Sequence, residues 1–147
     1  MNHIGTKIIN AHPMTRQQYN DLRGWTVPAD ENPGDDGYLV EYLDGGSANH
    51  PNYTGYISWS PKEVFDRAYR PTTAMTFDDA LVMLKSGKKV CRAGWNGRGM
   101  WIEHVSAKDF QFSELLPHFV IKNVNNSFST WVPSINDCLA EDWMIAE

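Results

Sequence analysis

The chain has 147 residues, of which 41% are hydrophobic and six are Trp, enough to build the core of one ordinary domain or two very small ones. Its formal charge of -5 is spread evenly, with six basic and nine acidic side chains up to residue 70 and seven and nine beyond it. Neither half offers the clustered Lys and Arg that duplex DNA or an anionic membrane requires, and without 18 consecutive apolar residues or a basic stretch leading into an apolar run we expect no membrane span and no export signal.

In chain order, MTRQQYNDLRGW predicts a short helix with Thr15 as N-cap and Gly24 ending it. VPADENPGDDG is a loop. GYLVEYL and YTGYISW alternate aromatic or branched residues with others, and DGGSANHPN between them supplies turn chemistry, so they predict a hairpin with a long loop. SPKEVFDRAYR then predicts a helix with Ser60 as N-cap, Pro61 at the first position and Glu63 completing a capping box. A module boundary is expected in RPTTAM, Arg70 to Met75, which divides the chain into residues 1–71 and 72–147.

Thr76 is expected to cap FDDALVMLK, with Asp79 at the third position, an apolar stripe of Phe77, Ala80, Leu81 and Leu84, and Gly87 as the stop. KKVCRAGW and GMWIEHV read as two strands joined by NGRG, whose Asn-Gly pair suits a tight turn; HFVIKNV and FSTWVP repeat the arrangement across NNS. A last helix begins at Ser134 with Asp137 in the capping-box position, and WMIAE closes the chain as a strand. The expected fold class is α+β: a small antiparallel sheet with a few short helices, preceded by a small α+β module of helix, hairpin and helix.

Catalytic chemistry finds little support. The five His are scattered, so no triad can be built from spacing, and His50 in its loop is better explained as a turn residue. No phosphate-binding loop, dinucleotide fingerprint or HExxH helix is present. Asp35-Asp36 lies in a polar loop, Asp78-Asp79 stabilises a helix start, and Glu141-Asp142 closes a short helix. Cys91 and Cys138 lack metal-ligand spacing and read as reduced, buried small hydrophobes of a cytosolic protein. We therefore expect no catalytic residue, no metal and no cofactor.

What remains are indoles beside polar cap and turn positions: Trp95 with Arg92 and Asn96, Trp101 in the paired strand, and Trp131 with Ser134 and Asp137. An indole face can stack a base, Arg can neutralise a phosphate, and Asp or Asn can hold an amine or a ribose hydroxyl, a set that suits a small nucleotide. On composition alone core or subunit packing explains the Trp residues better, and a capping box accounts for Ser134 and Asp137.

The run MTFDDALVMLKSGKKVCRAGWNGRGMWIEHV, followed by STWVPSINDCLAEDWMIAE, resembles a phage family that includes the second type of Thoeris anti-defence protein. The likeness covers Met75 to Glu147 and rests on the capped helix with its lysine-rich exit, the strand ending in Arg-x-x-Trp, and the ending W-x-P-S-x-x-D-x-x-A-x-D-W. It implies a small α+β protomer that forms a homo-oligomer, dimer or tetramer, with pockets between subunits. Those pockets would hold cyclic ADP-ribose isomers, and in some members cyclic dinucleotides in a separate pocket, without cleaving them. The ligand-binding positions that carry over are Arg92, Trp95, Asn96, Trp131, Ser134 and Asp137, while Trp143 is assigned to the core. Residues Lys7 to Pro71 look similar to a leader module that phage proteins place ahead of this domain, expected to assist packing or oligomerisation.

The resemblance thus implies a non-enzymatic sponge in the cytoplasm of the infected bacterial host, with a small cyclic nucleotide as partner and neither membrane nor duplex nucleic acid. Sequestration needs no positioned nucleophile, but it does need a nanomolar dissociation constant, about 12 kcal/mol of binding free energy. The alternatives are a phage structural or interaction protein whose tryptophans pack subunits, and a cyclic nucleotide hydrolase. A single-strand nucleic-acid binder is weaker, because the acidic balance opposes it.

Overall fold

The computed structural model describes residues 1–106 and 116–147. The chain forms two compact units, Met1–Tyr69 and Arg70–Glu147. The α+β class holds: antiparallel sheets with a few short helices.

In the first unit, strands β1 (Ile9–Pro13), β2 (Gly37–Tyr42) and β3 (Tyr56–Pro61) form an antiparallel sheet in the order β1-β2-β3. β2 and β3 are the expected hairpin, paired from Gly37↔Pro61 to Tyr42↔Tyr56. β1 has no counterpart among the sequence expectations. It pairs with β2 along its whole length, Ile9↔Tyr42 to Pro13↔Tyr38, yet four of its five residues are exposed. A strand that joins by backbone pairing and buries almost nothing carries no alternating apolar signal.

Helix α1 (Arg16–Arg23) forms as its caps dictate. The Thr15 hydroxyl accepts the Gln18 amide at 3.2 Å, Gln18 returns a bond to the Thr15 N–H at 2.8 Å, and Gly24 takes the left-handed φ of 69° that stops the helix. Tyr19 on this helix packs with Leu39 and Ile57 as a small core, flanked by Met14, Leu22, Tyr53 and Trp59. His50 ties the long loop to the helix, with Nε2 3.2 Å from the Leu22 carbonyl and Nδ1 accepting the Asn52 amide at 3.2 Å.

Helix α2 (Lys62–Ala68) starts later than expected, and the capping box of Ser60 and Glu63 does not form. The β2–β3 ladder runs on through Tyr38↔Ser60 and Gly37↔Pro61, so Ser60 is still strand and its Oγ donates to the Pro61 carbonyl at 3.4 Å. Sheet pairing outweighs the local cap.

The second unit has a five-stranded antiparallel sheet in the order β7-β6-β5-β4-β8, made of β4 (Val90–Arg92), β5 (Trp101–Val105), β6 (His118–Lys122), β7 (Phe128–Trp131) and β8 (Trp143–Ile145). Helices α3 (Phe77–Lys85) and α4 (Ile135–Leu139) complete it. Met75, Ala80, Met83, Leu84, Val90, Ile102, Ile121 and Trp143 form the core.

At the start of α3, one Asp79 oxygen accepts the Thr76 hydroxyl at 2.9 Å, the Thr76 amide at 3.4 Å and Arg70 Nε at 2.8 Å. Thr76→Ala is expected to cost about 1 kcal/mol, a typical N-cap loss, measurable as a lower urea midpoint. The buried face of the helix is Ala80, Met83 and Leu84, with Phe77 packed beside it, while Leu81 is only half-buried. The stripe is thus rotated toward Met83, and Gly87, at φ 87°, follows the helix as expected.

β6 and β7 form the expected hairpin, with Asn126 at φ 64° in the turn and the Asn123 amide bonded to the Ser127 carbonyl at 2.8 Å. The turn between β4 and β5 departs from expectation. Only Val90↔Ile102 pairs between these strands, residues 93–100 form a loop, and Gly99 at φ 72° is its left-handed residue rather than Asn96 or Gly97. Gly97 is needed for space: a Cβ there would lie 2.2 Å from Val124 Cγ2 and 2.5 Å from Met100 Sδ. The loop leaves the ladder because the Ala93 amide bonds the Asp142 carbonyl at 3.1 Å and the Gly94 amide bonds the Asp142 carboxylate at 2.8 Å.

The closing strand forms as expected, paired with β4 from Val90↔Ile145 to Arg92↔Trp143. The two cysteines are less buried than expected: Cys91 is intermediate and Cys138 exposed. In the short helix α4 only Asp137 is buried, so its neighbour Cys138 turns outward. The irregular segment expected between the two hairpins falls mainly on residues 107–115, outside the described residues. Among the described residues no helix is long and apolar enough to cross a membrane.

Candidate functional site

Asp137 is the hub of the second unit. Its place at the third position of α4 lets one carboxylate oxygen accept the Ser134 amide and the Ser134 hydroxyl, each at 2.9 Å. The other oxygen accepts Arg92 Nη1 at 3.0 Å and Trp95 Nε1 at 3.3 Å, and the Asp137 carbonyl accepts Trp143 Nε1 at 2.9 Å. A cap that is local in sequence therefore fastens β4, the loop after it and β8 to one another.

Arg92 is held from two sides, because its Nε also donates to Asp142 at 2.8 Å. One guanidinium between two carboxylates leaves the group with a net charge of about -1. Its charge is matched within the chain by both carboxylates, and the pair of bonds ties the loop to the helix start.

Above this polar base lie three indoles packed edge to face. The ring centroids are 5.5 Å apart for Trp95 and Trp143, 6.1 Å for Trp131 and Trp143, and 6.3 Å for Trp95 and Trp131. Phe77 and Phe119 adjoin them, the first 5.4 Å from Trp143 and the second 6.1 Å from Trp131. Trp143 is fully buried and belongs to the core, as expected, whereas Trp95 and Trp131 keep part of their rings at the surface. Such contacts contribute about 0.5–1.5 kcal/mol per pair beyond area burial.

The structure thus brings together Arg92, Trp95, Trp131, Ser134 and Asp137. Asn96 stands exposed on the 93–100 loop beside Trp95. Asp142 completes the cluster and was not among the expected site residues. The Glu141-Asp142 pair reads locally as the close of a helix, but α4 ends at Leu139, and Asp142 instead holds Arg92 and Gly94. The Asp-Trp at the end of the motif was the available signal.

Burial works to raise the Asp137 pKa, but bonds from the Ser134 amide, Arg92, the Ser134 hydroxyl and Trp95 outweigh it and hold the carboxyl below the ordinary aspartate value. Asp142 is lowered chiefly by Arg92, against some burial and with help from the Gly94 amide; Asp79 is lowered chiefly by Arg70. All three shifts have one sign. The unfolded chain takes up protons at these groups at about pH 4 while the folded chain still resists, so their stabilisation is complete above that range and lost as pH falls through it. The unfolding temperature of the second unit, followed by tryptophan fluorescence, is therefore expected to drop between about pH 5 and pH 3, and Asp142→Asn to flatten that drop.

Among the described residues no group of His, Cys, Asp and Glu is placed to hold a metal ion. Next to the cluster, Val132, Ile135 and Leu139 are 83%, 79% and 76% exposed, a large apolar display for one short segment. Two surface grooves lie in the first unit.

Residues 75–146 match the Thoeris anti-defense 2-like domain, a span that contains every residue of this cluster. The Thoeris anti-defense 2 protein of Bacillus phage SP01 is 41% identical over 85 residues, which span 50% of this chain and 96% of that protein.

Proposed function

The chain belongs to the Thoeris anti-defense 2-like family, and from that premise we propose that it acts for a phage against bacterial defence by binding a cyclic nucleotide signal and holding it intact. The ligand class is a cyclic ADP-ribose isomer or a cyclic di- or oligonucleotide, and the setting is the cytoplasm of the infected host. Capture of the signal keeps it from the effectors of Thoeris or cyclic-oligonucleotide defence.

One observation carries this reading: two half-buried indoles, Trp95 and Trp131, stand on a fixed polar base beside apolar side chains that a single chain leaves in water. Covering a large aliphatic side chain is worth about 1.5–3 kcal/mol, so Val132, Ile135 and Leu139 favour association with a second copy. A homo-oligomer, dimer or tetramer, formed over this face would enclose the indole edges in a pocket. The wall is preorganised by Arg92, Ser134 and Asp137, which lowers the ordering cost of tight binding.

The roles within the site follow from what each group has left to offer. Trp95 and Trp131 stack the base. Asp137 is filled by its four donors and positions the indoles, and Arg92 positions the loop that carries Asn96 to the ligand. Asp142, whose side chain is 33% exposed, keeps lone pairs for a ribose hydroxyl or an exocyclic amine. We assign residues 72–147 to this sequestering domain and residues 1–71 to a leader module that supports its packing or assembly.

Calorimetric titration of the purified chain with a panel of cyclic ADP-ribose isomers and cyclic dinucleotides tests the proposal. A nanomolar dissociation constant for one member is expected; no heat from any member would overturn it.

A further inference from the structure

The first unit contains a groove of about 480 Å³, within the range of small-ligand sites, lined by Arg16, Tyr19, Arg23 and Trp25 on one side and Ile57 and Trp59 on the other. Its walls are cation and ring in alternation. The Arg16 guanidinium lies 4.4 Å over the Trp59 ring and the Arg23 guanidinium 4.4 Å over Trp25, with Tyr19 edge-on to Trp25 at 6.2 Å.

The two arginines differ in how their charge is met. Arg16 pairs with Glu31 at 3.1 Å and Asp35 at 3.3 Å. Arg23 is half-buried and hydrogen-bonds the Tyr19 side chain, yet among the described residues it has no carboxylate partner; its Nη1 is shut from solvent without an acceptor, as is Arg16 Nε. A half-buried cation without a carboxylate partner is costly until an anion pairs with it. Asn49 and Trp59 in the lining are already used. Asn49 exchanges two bonds with the Ile57 backbone at 2.7 and 2.9 Å, and Trp59 Nε1 donates to the Met14 carbonyl at 2.7 Å. The lining carries two arginines and one glutamate, and Asp35 also pairs with Arg16, so among the described residues Arg23 is the lining cation left without a carboxylate. Trp25, 53% exposed, offers ring surface at the mouth.

We propose that this groove is a second ligand site, separate from the indole cluster, and that it takes an aromatic phosphate of the nucleoside monophosphate class. The guanidinium of Arg23 meets phosphate oxygens through its donors other than the buried Nη1, which suits its planar donor geometry. The flat ring lies against Trp25, where stacking tolerates any base.

Adenosine 5′-monophosphate titrated into the full chain, with the indole N–H signals of all six tryptophans followed by NMR, tests this assignment. The Trp25 and Trp59 signals are expected to move together and saturate, ahead of those of Trp95 and Trp131. Arg23→Gln is expected to weaken that response about tenfold or more at unchanged unfolding temperature, and Arg23→Lys, which keeps the charge without the fork, to weaken it less. Unmoved Trp25 and Trp59 signals up to about 5 mM nucleotide, a millimolar-scale limit on affinity, would overturn the proposal. So would an equal response in Arg23→Gln, or inorganic phosphate that binds as well as the nucleotide.

Discussion

Asp137→Ala is expected to destabilise the second unit by about 3–5 kcal/mol, the range for removing one partner of a buried pair. The carboxylate accepts four donors, and its loss leaves Arg92 Nη1, Trp95 Nε1 and the Ser134 amide facing an apolar methyl group. Asp142 retains the other edge of Arg92, which places the effect toward the lower end of that range. Asp137→Asn keeps the shape but turns an amide N–H₂ toward one pair of donors, so it is expected to cost less than the Ala variant and more than Thr76→Ala. Urea unfolding followed by tryptophan fluorescence measures all three.

Trp131→Ala is expected to leave a folded oligomer that binds its cyclic nucleotide about ten- to hundredfold more weakly. Losing one stacking partner is worth about 1–3 kcal/mol per base. The structural cost is expected to fall below the 3–5 kcal/mol typical of a fully buried Trp, because Trp131 is only half-buried. The rival reading, in which the indoles serve only subunit packing, expects this variant to unfold or dissociate. Size-exclusion chromatography beside the titration separates the two. Trp143→Ala is the control, since a fully buried indole with its Nε1 bonded to Asp137 should fail to fold under either reading.

Elements specified by neighbouring residues were legible in the sequence. Thr15, Thr76 and Ser134 each cap a helix through a side chain three positions on, and Gly24 stops its helix with a left-handed φ of 69°. The β2–β3 and β6–β7 hairpins were readable from alternation and turn chemistry. Elements decided by distant partners were not. β1 exists because β2 offers a free edge, and Ser60 stays in the sheet because Tyr38 pairs with it. The Asn-Gly at 96–97 gives up its tight turn because Asp142, 48 residues from Gly94, captures the loop.

The candidate site divides in the same way. Motif positions identified Arg92, Trp95, Trp131, Ser134 and Asp137, which the fold gathers into one cluster. The pairing of Arg92 with carboxylates 45 and 50 residues away could not be read from spacing, and it is the ground for proposing a positioning role for Arg92. Local chemistry marks which residues meet. Only the fold shows which charges remain free.

Sequestration without cleavage is tested most directly by incubating the chain with the tightest-binding cyclic nucleotide for many hours, denaturing it by heat, and analysing the released small molecules by chromatography. Stoichiometric return of the unaltered cyclic nucleotide is the expected result. A linear or hydrolysed product would contradict it and make the chain an enzyme.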